Sequence, residues 1–114
     1  VLDNIEYDDI IKNYDGIKIS PIKYFIGHDN KIKVIDAYIA RKKPENAMPI
    51  IFNMCDNNEL NEYEKVDLCI RLNSISDYAD VISLYKKIDL SKLDSNSKNT
   101  IGRYYKAAIG KVKN

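Results

Sequence analysis

His28 is the only histidine in the chain, and so the only side chain that titrates near neutrality without special surroundings. As a general base it would need a nucleophile or carboxylate brought to it by the fold. Asp29 is adjacent, but sequence neighbours rarely face each other. Within His28-Asp29-Asn30 it reads as a polar residue of an inter-helix reversal. Cys55 and Cys69 are the only thiols. They form no C-x-x-C pair, and one histidine with two distant cysteines does not make a zinc site. Carboxylates cluster at Asp8-Asp9 and Glu62-Tyr63-Glu64. A hard-cation site usually needs three or more converging oxygen ligands, and these runs suit exposed helix turns better. No G-x-S-x-G, P-loop or dinucleotide fingerprint occurs, and four glycines leave no phosphate-cradling loop. The residues call for no cofactor and no metal, and the expectation is a chain that is not an enzyme.

Bulk charge narrows the partners. Eighteen basic and 17 acidic side chains give a formal charge of +1, which supplies no overall attraction to phosphates or anionic lipid. Only the end of the chain departs from this balance, where Lys106, Lys111 and Lys113 come without a nearby acid; a solvated helix end helped by its dipole accounts for them. Nine tyrosines stand beside two phenylalanines and no tryptophan. Tyr38, Tyr78, Tyr85, Tyr104 and Tyr105 fall on expected apolar faces, whereas Tyr7, Tyr14 and Tyr24 are candidates for contact. Stacking by tyrosine with lysine contacts keeps nucleic-acid binding as an alternative. No apolar run reaches the ~20 residues of a membrane span, and the acidic, polar start is not a secretory signal. Two thiols point to a reducing, intracellular compartment such as the cytoplasm, with a single disulfide as the other possibility. Val1 rather than Met opens the chain, which points to a fragment or a processed product.

The elements that must position these groups are helices. At 114 residues, 45% of them apolar, the chain has the size and core of one domain. Residues 3–14 predict a helix carrying Ile5, Ile10, Ile11 and Tyr14 on one side and stopped by Asp15-Gly16. Ser20-Pro21 then starts a second helix, with Ile22, Phe25 and Ile26 on one face. After His28-Asp29-Asn30, Ile32, Ile35, Tyr38 and Ile39 continue at helical spacing with Lys33 and Asp36 outward. The alternation of Lys31-Ile32-Lys33-Val34-Ile35 leaves a β-hairpin around Asp29-Asn30 as a rival. Met48-Pro49 repeats the helix start, Asp56-Asn57-Asn58 repeats the break, and Tyr63 to Leu72 repeats the second helix with Val66 inward and Lys65 outward. Ser74 to Ile88 is helical by period with Ser74 or Ser76 as cap. Residues 89–98 read as a polar connector and Thr100 to Val112 as a last helix.

Ser20-Pro21-Ile22-Lys23-Tyr24-Phe25 and Val34-Ile35-Asp36-Ala37-Tyr38-Ile39 resemble the two halves of an ankyrin repeat, whose first helix opens T-P-L-H-x-A. Lys23 stands for the motif histidine and Phe25 for its small residue. The starts at Pro21 and Pro49 recur after 28 residues and the second helices around Val34 and Val66 after 32, against a family period of ~33. The resemblance implies an all-α chain, a short ankyrin-like solenoid of paired antiparallel helices. Residues 1–14 would be the helix of a partial repeat, 15–46 and 47–73 two repeats, and 74–114 an irregular repeat or cap. It further implies a protein–protein interaction module whose contacts lie on the inter-repeat turns and the concave first helices. Mapped onto this chain, those positions are Tyr14, Ile17, Lys18, Lys23, Tyr24, Gly27 and His28, then Asn46, Ala47, Ile51, Asp56 and Asn57. The alternatives are a small helical regulatory or ligand-binding domain of a larger protein, a nucleic-acid-binding helical domain, and a structural spacer.

Overall fold

A computed structural model describes residues 8–12 and 27–113. Every regular element among them is helical, so the chain is all-α. Residues 8–12 form α1, followed by α2 (His28–Ala40), α3 (Pro44–Asp56), α4 (Glu62–Ser74), α5 (Tyr78–Tyr85), a 3-10 turn (Leu90–Lys92) and α6 (Ser95–Lys113). Contacts divide the chain into two units, Val1–Ile51 and Phe52–Asn114, with the boundary inside α3.

In the first unit α2 begins earlier than its sequence suggests. Gly27 is its N-cap, and its carbonyl accepts the first helical bond from the Lys31 N–H at 3.0 Å. His28, Asp29 and Asn30 are therefore the first turn of the helix and not a reversal, with Asp29 placed where the helix dipole favours a negative charge. The helical backbone over this stretch also removes the hairpin. Ile35 and Ala37 are fully buried, and Val34, Tyr38 and Ile39 nearly so. The first unit also ties α1 to the end of α2 through Asp8 Oδ1 and Arg41 Nε at 3.1 Å.

Pro44, not Pro49, opens α3. Proline at the first position loses only a donor that the helix leaves unpaired anyway, while Pro49 lies inside the helix with its ring exposed. Ala47 and Met48 between these positions, and Ile51 just beyond them, are buried.

In the second unit α4, α5 and α6 pack on one another pairwise. Met54, Cys69, Leu72, Val81, Leu84 and Ile101 are fully buried, Leu60, Val66, Ile88 and Leu93 nearly so. The rings of Tyr85 and Tyr105 stack at 4.0 Å between centroids, 11° from parallel, joining α5 to α6. Asn61 caps α4 reciprocally: its Oδ1 accepts from the Glu64 N–H at 2.8 Å, and its own N–H donates to Glu64 Oε1 at 3.0 Å. The expected helix over Ser74 to Ile88 is divided, since α4 runs to Ser74 and α5 begins only at Tyr78 after Asp77. The polar connector expected over 89–98 is also shorter, because α6 already starts at Ser95.

Three of the helix ends share one device. Lys42, Asn58 and Ser76 have φ of 58°, 57° and 62°. After α2, the Lys42 N–H donates to Ile39 O and the Lys43 N–H to Tyr38 O. After α3 the matching bonds run from Asn58 to Cys55 and from Glu59 to Met54, and after α4 from Ser76 to Asn73 and from Asp77 to Leu72. Each is a left-handed helix stop of the Schellman type, built without glycine.

Candidate partner-binding face

Of the residues that the ankyrin resemblance nominates, Tyr14, Ile17, Lys18, Lys23 and Tyr24 lie outside the described residues. Gly27, His28 and Asn46 are exposed in the first unit, and Asp56 and Asn57 are exposed in the second. Ala47 and Ile51 are at 0% exposure. Four residues apart in α3, they share the face of the helix that turns inward, and neither can meet a partner. His28 Nδ1 lies 3.0 Å from Asp29 Oδ1, so these two neighbours do face each other, on an exposed helix end.

Lys65 and Glu62 overturn a second expectation. Lys33 is exposed as expected, but Asp36 is half-buried, Lys65 is 8% and Glu62 9% exposed. Lys65 Nζ donates to Glu62 Oε2 at 3.2 Å and to Lys87 O at 3.0 Å, and Glu62 Oε2 accepts the Asp89 N–H at 2.7 Å. The Tyr63 hydroxyl accepts the Asp94 N–H at 3.3 Å. The first turn of α4 thus holds the connector between α5 and α6 at two points. These polar groups are spent on structure: buried charges persist only when paired and hydrogen-bonded.

The thiols are also structural. Burial pushes the Cys69 thiol up to about 12, and its Sγ lies 3.8 Å from Val81 O. Burial raises Cys55 too, against the opposing charges of Lys65 and Lys87. Both cysteines are free. Among the described residues no three His, Cys, Asp or Glu side chains come together to hold a metal ion, and no helix is long and apolar enough to cross a membrane.

The face that sequence periodicity underrated is α6. Asp94 fixes its start, with Oδ1 accepting the Ser97 N–H at 2.8 Å; hydrogen bonding by the Ser97 side chain and then by its N–H holds the Asp94 carboxyl below its ordinary value. Ile101 and Ala108 turn fully inward. On the outside, Lys98, Gly102, Lys106 and Gly110 form one row at four-residue spacing, with Asn99, Arg103, Ala107 and Lys111 in the row beside it. The helix carries five cations (Lys98, Arg103, Lys106, Lys111, Lys113), all exposed, and no acid. None of the five pairs with a carboxylate among the described residues. Phe52 to Asp94 carries the reverse balance, five cations against nine acids for a net −4. Sequence reading noticed only the last three lysines because Lys98 and Arg103 had been divided between a connector and a shorter helix.

No protein-family model, curated protein or solved structure matches the chain.

Proposed function

We propose that the protein is a protein–protein interaction module that receives an acidic segment of its partner along the outer face of α6. One observation carries the reading: the second unit separates its charge, with five exposed cations and no acid on one helix and a net −4 on the chain before it. Lys98 to Lys113 spans about 22 Å at the helical rise, a length suited to a short peptide. A long polyanion fits less well, because it must also approach the acidic remainder and a chain of net charge +1. The ankyrin-like order of parts supports the same class of function, and a short solenoid of paired helices belongs to this proposal. Two free thiols support an intracellular setting.

The test is a titration of the full chain with a fluorescent glutamate-rich peptide, at low and at physiological salt. Lys98→Glu with Lys106→Glu should weaken binding by about tenfold or more, since like charge across an interface is costly. Lys33→Glu with Lys43→Glu, exposed positions of the first unit, should leave it within about twofold. Equal losses from the two pairs would reduce the effect to bulk electrostatics, and preferential binding of duplex DNA would replace the protein partner by nucleic acid.

A further inference from the structure

Gly102 stands in the middle of α6, where nothing in the fold asks for glycine. None of the described glycines has a positive φ. A methyl group built on Gly102 meets nothing within 4 Å, so packing does not exclude a side chain either. Glycine inside a helix lowers its stability relative to alanine. The surface gives the position its meaning. On a helix the neighbours of Gly102 are Lys98 and Asn99 one turn before, Arg103 beside it and Lys106 one turn after. Over this stretch lies a wide, open hollow of about 420 Å³ lined by Lys98, Asn99, Gly102, Arg103 and Lys106. Three cations and an amide surround a floor of bare backbone.

That setting suits a compact dianion better than a single carboxylate. A phosphate monoester brings nearly two charges and three acceptor oxygens near neutral pH. Arginine can take two of those oxygens in its planar fork, with lysines as mobile point charges around them. Arg103 is also the rim of a second open depression, of about 430 Å³, which Asn73, Thr100, Tyr104 and Ala107 line without adding a charge. A charged hollow and an uncharged one therefore lie on either side of one arginine.

Resting on the acidic-partner reading above, we propose that the Gly102 depression takes a phosphoserine or phosphothreonine side chain of the partner. The residue next to it lies across Arg103 against Tyr104 and Ala107. A peptide fits better than a phosphorylated lipid headgroup in a bilayer. A flat anionic surface would have to approach a whole chain of net charge only +1, whereas a short peptide engages α6 alone.

Fluorescence anisotropy of the full chain tests this with one short acidic peptide in three versions, its central residue serine, glutamate or phosphoserine, followed by leucine. The phosphoserine version should bind about tenfold more tightly than the glutamate version. Arg103→Gln should abolish that advantage. So should Gly102→Leu, which fills the floor, whereas Lys33→Glu in the first unit should leave the affinity of both versions within about twofold. Gly102→Ala, whose methyl enters open space, repeats the test with a smaller filler should leucine disturb the helix. Equal binding of the glutamate and phosphoserine versions overturns the phosphate site and leaves the acidic partner standing. Binding of neither version removes both. Binding only to phosphatidylcholine vesicles doped with a phosphoinositide overturns the phosphopeptide in favour of a lipid headgroup.

Discussion

Lys65→Met should cost far more than an ordinary surface lysine. The side chain is 8% exposed and its partner Glu62 9%. Lys65 Nζ reaches Glu62 Oε1 at 3.3 Å, Glu62 Oε2 at 3.2 Å and Lys87 O at 3.0 Å. Methionine keeps the apolar stem but supplies no donor. Glu62 is then left with the Asp89 N–H alone at 2.7 Å, and Lys87 O loses its side-chain donor. Removing one partner of a buried pair costs about 3–5 kcal/mol. Water still reaches about a tenth of each side chain, so the expected cost here is about 2–4 kcal/mol. Glu62→Gln should cost less, because its amide oxygen can still accept from Asp89. The double variant leaves no buried charge, and its cost should fall below the sum of the two by about 1–3 kcal/mol. Urea unfolding followed by circular dichroism gives the cycle, and amide exchange at Asp89 reports the local bond, which should open faster in Glu62→Ala. A Lys65→Met loss under about 0.5 kcal/mol, the range of ordinary surface changes, or strict additivity of the pair, would refute the buried contact.

Lys42→Gly and Ser76→Gly should each stabilise the chain by about 0.5–1 kcal/mol, read as a raised Tm, because both residues sit at left-handed φ where glycine carries no Cβ penalty. Gly102→Ala should also stabilise the chain by about 0.5–1 kcal/mol, again read as a raised Tm, even as it narrows the proposed anion depression. Hydrogen bonds from Ser97 lower the Asp94 carboxyl, so its contribution is complete above the ordinary 3.8 and is lost as pH falls through the lower folded value; Asp94→Asn should therefore show a shallower acid limb in pH-dependent melting. Cys69, raised to about 12, should resist iodoacetamide at mild alkaline pH until urea opens the core, with mass spectrometry locating the label on Cys55 first.

Helix was legible in this sequence and helix ends were not. The apolar spacing at Ile35, Tyr38 and Ile39, and the inward placing of Val66, marked buried positions of α2 and α4 correctly, while Ile32 of the same set is only half-buried. Boundaries failed where the punctuation was unconventional. Pro49 looked like a start because proline suits a first turn, yet Pro44 already filled that role. The Asn61 to Glu64 capping box and the Asp94 cap were present in the letters, in the N-x-x-E and D-x-x-S patterns, and would have set the starts of α4 and α6. Burial of Lys65 was not readable at all, since its partners Glu62, Lys87 and Asp89 converge only through the fold. The candidate face suffered in turn: a helix begun at Thr100 omits Lys98, and without Lys98 the basic residues of α6 look like a frayed end.

The placement of glycine ties these observations together. At Lys42, Asn58 and Ser76 the backbone enters the left-handed region that glycine occupies freely, and the chain uses other residues there. At Gly102 and Gly110 the backbone is ordinary helix, and a methyl at either position meets nothing within 4 Å. A chain selected only for a stable fold would reverse these choices, each reversal being worth about 0.5–1 kcal/mol. Both glycines fall in the row that also holds Lys98 and Lys106, on the exposed side of the one helix without an acid. Local departures from what a fold prefers collect where a surface has work to do. Under the proposed reading the glycines and the cations of α6 are one feature: the cations would supply attraction, and the absent side chains would supply room for an anionic group between them.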